Sequence, residues 1–324
     1  MEEVNLLILR HLRKDYVEKV SNVDSRLRIF DRSDSERLGN YLPVHKDEVA
    51  EDYSKAEIIL AYRTPPNLLK LAPNLKWLQL SSAGFEHLDE STLKSHIRIT
   101  NASGIHGTAI AEHIAMIMLM FSRKALNLFE WKKDRLWSSF VPEEIRGRTL
   151  GIIGLGHIGL EVLDIAKALG MKILVTDIIF STVTKGVAGI EVIYPTSFMK
   201  EMLSKSDFVV VAVPQKKETE GLIGENELRV MKRSAYIINI SRGPIIDERA
   251  MVKALEEGWI AGAGLDVFEK EPLPTESKLW AFPNVIISPH IAGVSDQHDK
   301  RLTDLFCENI VRYLNRESLL NVVN

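Results

Sequence analysis

The chain has 324 residues, 45% of them hydrophobic, which is enough for two domains with substantial cores. A formal net charge of −3 and a sequence pI near 6.3 leave no basic footprint for nucleic acid. The single cysteine, Cys307, excludes an internal disulfide and fits a reducing, cytoplasmic setting, and the longest unbroken apolar run, Ile114 to Phe121, is far short of the ~20 residues of a membrane span.

The N-terminus, MEEVNLLILRHLRKDY, opens acidic and is only briefly apolar, unlike a secretory signal. In the first hundred residues the runs NLLIL, AEIILAY, LKWLQL and IRITN are predicted strands, and turn chemistry or a helix start follows each of the last three. One long helical stretch comes next, TAIAEHIAMIMLMFSRKALNLFEWKKD, beginning at Thr108. Its first half is apolar nearly all round, so it is expected to be buried on more than one side. Met116, Met118 and Met120 suit packing in a core or a subunit interface, and a homodimer through residues 108–130 is expected.

After Arg148 the pattern changes to close alternation of strand and helix, with TLGIIGL, MKILVTD, FVVVAVP, AYIINIS, GAGLDV and NVIISP as strands. Apolar runs without alternation belong to strands covered on both faces, as in a parallel βαβ sheet. A helix, DQHDKRLTDLFCENIVRYLNRE, closes the chain. The expected fold class is α/β, with two Rossmann-like or flavodoxin-like domains. The nucleotide domain (residues 101–289) is inserted into a discontinuous substrate domain (1–100 plus 290–324).

The segment GLGHIG directly follows a predicted strand and opens a helix, the context a dinucleotide loop requires. Gly154 permits the tight turn, Gly156 lets the backbone approach a pyrophosphate, and Gly159 lets helix and strand pack closely. His157 and Ile158 contribute backbone N–H groups at the helix start, where phosphate charge is held. Asp177 stands eighteen positions after Gly159 (177 − 159), where a carboxylate accepts from the adenosine ribose and repels a 2′-phosphate. No arginine follows in IIFSTVTK to hold such a phosphate, so NAD is expected over NADP. Asp177 as a simple turn cap is the alternative.

Ligands of open α/β sheets bind outside the carboxyl ends of the strands. Arg242 follows AYIINIS, Asp266 lies in GAGLDV with Glu269 and Glu271 beyond it, and His290 follows NVIISP. An arginine can bind a carboxylate bidentately and polarise the carbonyl beside it. A histidine can give or take the proton that accompanies hydride transfer, and a carboxylate on the imidazole orients it. Taken singly, Arg242 could cap a turn, Glu271 could be a solvated loop acid and His290 a strand-end residue. Together, at three strand ends beside a nucleotide loop, they suit one reaction.

Over nearly its whole length the chain resembles the D-isomer-specific 2-hydroxyacid dehydrogenases. The resemblance is carried by GLGHIG with Asp177, DFVVVAVPQKKETEGLI, MKRSAYIINISRGPIIDERAMVKALEEG, AGLDVFEKEPLP and LWAFPNVIISPHIAG, and earlier by LQLSSAGFEHLD and NASGIHGTAIAEH. It implies hydride transfer between NAD(H) and a small D-2-hydroxy or 2-keto acid such as glyoxylate, hydroxypyruvate or pyruvate, with no metal. The family's arginine falls on Arg242, its histidine on His290, and its carboxylate on the Glu before Pro, hence Glu271 and not Glu269; spacing alone leaves those two open. Asp266 is implied at the nicotinamide end, with Pro214 and Thr108 as further cofactor positions. Backbone N–H groups around Ala83 and Gly84 are implied at the substrate carboxylate, and Arg63 can hold a distal group.

Two departures stand out. Gln215-Lys216-Lys217 occupies a segment that is more apolar and Thr-rich in relatives, and no regulatory extension of the kind found in long phosphoglycerate dehydrogenases is expected. Formate or phosphite oxidation is an alternative, disfavoured because formate-oxidising relatives carry Gln where Glu271 stands. An NAD-sensing binding protein without turnover is another, disfavoured by the lack of long disordered tails.

Overall fold

The structure, a computed structural model, describes residues 3–32 and 47–324. The chain divides into two compact units, Met1–Ile105 with Ser295–Asn324, and His106–Val294. No helix among the described residues is long and apolar enough to cross a membrane.

The first unit holds strands β1 (Val4–Ile8), β2 (Leu27–Asp31), β3 (Ile58–Ala61), β4 (Trp77–Leu80) and β5 (Arg98–Thr100) in one parallel sheet, ordered β2-β1-β3-β4-β5. Every residue of β3 and β4 is buried, because alternate side chains enter cores on both faces. Leu7, Ile59, Leu78 and Ile99 pack on one face, and Leu6, Ile8, Leu60 and Trp77 on the other. The second face is covered by Leu302, Phe306 and Ile310 of the final helix, His298–Leu314, which explains why the chain's end belongs with its beginning. Buried Asn309 on that helix donates to Gln79 Oε1 at 3.2 Å and accepts the Leu320 N–H at 2.7 Å, fixing helix and tail to the sheet. Strand β2, not expected from the sequence, is a half-buried edge whose apolar run is broken by Arg28 and ends at Asp31.

The second unit is built on an eight-stranded sheet. Its members are β6 (Thr149–Ile153), β7 (Lys172–Thr176), β8 (Thr184–Val187), β9 (Ile190–Tyr194), β10 (Phe208–Val211), β11 (Tyr236–Asn239), β12 (Gly262–Leu265) and β13 (Val285–Ile287). The order is β13-β12-β11-β10-β6-β7-β9-β8, parallel except for the antiparallel pair of β8 with β9. Chain direction across the sheet reverses at β6, which places the crevice for a nucleotide at its carboxyl end. The β8–β9 hairpin escapes a sequence reading because β8 is polar and largely exposed and β9 only partly apolar.

The stretch expected as one long helix is two, Gly107–Ser122 and Ala125–Asp134. Lys124 between them takes φ +52, and the bonds Arg123 N–H to Leu119 O and Lys124 N–H to Phe121 O close the first helix. No glycine or proline marks this stop; a lysine simply adopts the left-handed cap. The first helix drives Ile110, Ile114, Ile117, Met118 and Phe121 into the core, and Gly264 makes room for it, since a Cβ there would stand 2.7 Å from Ile117 Cγ2. Met116 stays 44% exposed, and the second helix buries none of its residues.

The joins fall five residues later than the 100/101 and 289/290 boundaries drawn from the sequence. Residues 101–105 remain with the first unit because Asn101 and Ala102 donate to Asn321 O and Ser82 O. Residues 290–294 remain with the second because Asp266 binds the backbone of Ile291 and Ala292.

Candidate active site

Strands β11, β12 and β13 are neighbours, so the turns that follow them lie side by side. His290, after β13, takes φ +53, a left-handed conformation that costs a non-glycine residue about 1–3 kcal/mol and persists only where its surroundings impose it. Its Nδ1 lies 2.7 Å from Glu271 Oε2, and since a carboxylate only accepts, Nδ1 carries the proton. Nε2 is thereby the ring atom left for chemistry. Glu271 is itself fixed, its Oε1 accepting the Phe268 N–H at 3.1 Å. Both side chains stay open to solvent, His290 at 49% and Glu271 at 37%. Glu269 turns elsewhere, its Oε1 accepting the Glu248 N–H at 3.2 Å, so geometry separates the two acids that spacing could not.

Arg242 follows β11 on a turn that lies flush against this loop. A Cβ on the next residue, Gly243, would stand 1.9 Å from the Phe268 carbonyl carbon, so only glycine lets the arginine turn and the glutamate loop abut. The Arg242 carbonyl accepts from Asn239 Nδ2 at 3.0 Å, and its Nη1 donates to Ser241 O at 2.7 Å.

Asp266, expected at the cofactor, is 1% exposed. Its Oδ1 accepts the Ser288 hydroxyl at 2.6 Å and the Ile291 N–H at 2.9 Å, and its Oδ2 the Ala292 N–H at 2.9 Å. Its carboxylate is thus engaged by its own chain and is not turned outward with Glu271. His113, on the helix Gly107–Ser122, brings Nε2 to 3.1 Å from Ser288 Oγ. Burial lowers the His113 pKa, against a weaker opposite pull from Asp266, so the ring is neutral at neutral pH. Neither Ser288 nor His113 was singled out from the sequence. A histidine in the apolar run of a buried helix is the signal that could have found the second.

The nucleotide loop follows β6. Gly154 takes φ +96, and a Cβ there would meet Ala212 O at 2.6 Å; a Cβ on Gly159 would meet Gly154 O at 2.2 Å. Both are required by the protein's own packing. Gly156 differs: its φ is −78° and nothing lies within 4 Å of the missing Cβ. The open space there suits a pyrophosphate pressed against the backbone. The first helical bond is Leu160 N–H to Gly156 O at 3.0 Å, which leaves the N–H groups of His157, Ile158 and Gly159 to point at such a ligand. Asp177, past β7, accepts from the Leu155 N–H at 2.7 Å and the Ile179 N–H at 3.1 Å, which pins its charge beside the loop. Thr108 lies one residue past Gly107, where a Cβ would come within 3.0 Å of Glu161 in the phosphate helix, so the two helix starts adjoin. Pro214 is exposed on the segment past β10, with its carbonyl accepting from Thr219 Oγ1 at 2.7 Å. These residues fit a dinucleotide. Among the described residues no group of His, Cys, Asp and Glu could hold a metal.

In the first unit, Ala83 and Gly84 follow β4 on a loop held by its carbonyls: Ala83 O accepts from Asn101 Nδ2 and Gly84 O from Ser82 Oγ, both at 2.7 Å. Their N–H groups have no protein acceptor among the described residues, an arrangement able to take an anion. Arg63, past β3, lies 5.7 Å from the centre of the Tyr62 ring, which stacks on His87. Partial burial, and then the Arg63 charge, lower the His87 pKa.

Residues 115–292 match the family model described as D-isomer specific 2-hydroxyacid dehydrogenase, NAD binding domain. Over 298 residues, covering 87% of this chain and 85% of the relative, the sequence is 36% identical to a glyoxylate reductase of Thermofilum pendens. A solved D-isomer specific 2-hydroxyacid dehydrogenase family protein from Aeromonas salmonicida aligns with a TM-score of 0.85 at 29% identity, over 100% of this chain and 99% of that one. A probable 2-hydroxyacid dehydrogenase from Rhizobium etli, in complex with NADP, HEPES and L(+)-tartaric acid, aligns with a TM-score of 0.77 at 26% identity, over 100% and 98%.

Proposed function

Since the chain belongs to the D-isomer-specific 2-hydroxyacid dehydrogenase family and is an NAD(P)-dependent oxidoreductase, we propose that it reduces a small 2-keto acid to the D-2-hydroxy acid with NADH, His290 giving the proton. The observation that carries this reading is the 2.7 Å bond that His290 Nδ1–H donates to Glu271, on turns beside the one that bears Arg242. Bound NADH supplies the hydride. Nε2 of His290 delivers a proton to the oxygen of the reduced carbonyl and takes it back in the reverse direction. Glu271 keeps the ring in the tautomer that leaves Nε2 available. Arg242 binds the substrate carboxylate and draws electron density from the adjacent carbonyl. Within the first unit taken by itself, the N–H groups of Ala83 and Gly84 suit an anion, and Arg63 adds a positive charge past β3.

Glyoxylate is the first substrate to try, with hydroxypyruvate and pyruvate next, because the Thermofilum pendens relative is named a glyoxylate reductase. The preference for NADH departs from the NADP of the Rhizobium etli structure and rests on Asp177, a fixed negative charge where a 2′-phosphate would sit. Purified protein should oxidise NADH with at least one of these acids, and His290→Ala should abolish turnover while NADH binding persists.

The helices Gly107–Ser122 and Ala125–Asp134 carry the exposed apolar residues Met116, Leu119, Leu128 and Phe129, and we assign residues 108–130 to a homodimer interface on that basis.

A further inference from the structure

We propose that His113, Ser288 and Asp266 form a clasp that positions His290, a device outside the reacting groups themselves. The inference rests on the reading of His290 as the proton donor. Three successive backbone N–H groups end on one residue: His290 N–H on the Asp266 carbonyl at 2.8 Å, Ile291 N–H on Oδ1 and Ala292 N–H on Oδ2, both at 2.9 Å. This is the turn in which His290 holds φ +53, a conformation that persists only where its surroundings over-determine it. The bonds to Asp266 are that over-determination.

Asp266 is held in turn. A carboxylate only accepts, so at 2.6 Å the Ser288 hydroxyl gives its proton to Oδ1, and the lone pair it keeps must take the Nε2–H of His113 at 3.1 Å. His113 sits on a helix whose Ile110, Ile114, Ile117 and Phe121 are packed into the core, so its ring is a rigid anchor. The line runs from helix to histidine, serine, aspartate and the catalytic turn. Loosening any link lets the imidazole drift from Glu271, which slows proton transfer. Cofactor affinity should not change, because the glycine loop and Asp177 follow β6 and β7, three and four strands from β12.

The test compares His113→Phe, Ser288→Ala and His113→Gln, the last chosen because a glutamine amide can place an N–H donor near the position of Nε2. Hydrogen exchange is followed in a peptide containing Ile291 and Ala292, together with kcat and the Kd for NADH. In His113→Phe and Ser288→Ala the two amides should exchange at least about tenfold faster, with kcat down about tenfold or more and Kd within about twofold. His113→Gln should stay near the wild type in all three. Unchanged exchange and kcat in both disruptive variants would overturn the clasp. A Gln variant as impaired as the Phe variant would overturn the role of the Nε2 donor. If the wild-type enzyme reduced no 2-keto acid, the proposed function would fall, and the exchange rates alone would still decide whether the clasp exists.

Discussion

Gly156 and Gly159 occupy one loop for opposite reasons, and the difference can be measured. Gly159→Ala forces a Cβ to 2.2 Å from a backbone oxygen that cannot yield, so it should destabilise the second unit by about 1–3 kcal/mol or more. Gly156→Ala meets nothing and keeps an ordinary φ, so its melting temperature should change little, yet NADH affinity should fall about tenfold or more. Calorimetry and fluorescence titration of both variants check this, and undiminished NADH binding by Gly156→Ala would remove the cofactor from that space. At this scale the sequence points to residues wherever chemistry is tied to a motif, as with GLGHIG, Asp177, Arg242 and His290, and the structure adds the partner each carboxylate or ring takes. The sequence is silent where roles depend on rotamers. Nothing in the spacing separates Glu271, turned to His290, from Glu269, turned to the Glu248 backbone. Nor does it reveal that Asp266 spends its carboxylate on Ser288, Ile291 and Ala292.

The proposed catalytic geometry depends on three adjacent strands whose turns lie side by side, and the closest approach is Gly243 against the Phe268–Glu269 peptide. Gly243→Ala should push the Arg242 turn away from the Glu271 loop. Unfolding by urea should show a loss of about 1–3 kcal/mol, and kcat/KM should fall at least about tenfold. A variant with wild-type stability and activity would show that the two turns need not abut. Long apolar runs such as IIL, FVVV and YIIN announced the buried strands, because nothing else explains them. Strands β2 and β8 were missed because an edge strand is allowed arginines and polar residues, which erase the pattern. The break at Lys124 was missed because a left-handed cap supplied by lysine carries no sequence signal.

Across the whole molecule, burial sets how stability follows pH. His87, His113 and His298 all have pKa values lowered below the ordinary 6.5, with burial the largest cause in each and Arg63 and Arg10 reinforcing it for the first and last. Each takes up a proton more readily when unfolded, so stability is retained above 6.5 and lost as the pH falls from that value toward the lowered ones. The melting temperature should therefore drop as the pH falls below about 6.5. The drop should be shallower in His113→Gln, and an equal slope in variant and wild type would contradict the burial argument. The apolar faces of the helices from Gly107 to Asp134 predict a dimer by sedimentation at micromolar concentration, and Phe129→Asp should shift it toward monomer. The discontinuous layout is legible because one α/β block precedes the nucleotide domain and a single helix follows it. The placement of the joins was not, since it depends on hydrogen bonds made by Asn101 and Asp266. The most direct test of the account is steady-state turnover of glyoxylate, hydroxypyruvate and pyruvate with NADH and NADPH, by wild type and His290→Ala. We predict NADH-dependent reduction of at least one acid, weaker use of NADPH, and loss of turnover by about a hundredfold or more in a variant that still binds NADH. Undiminished turnover by His290→Ala would contradict the account.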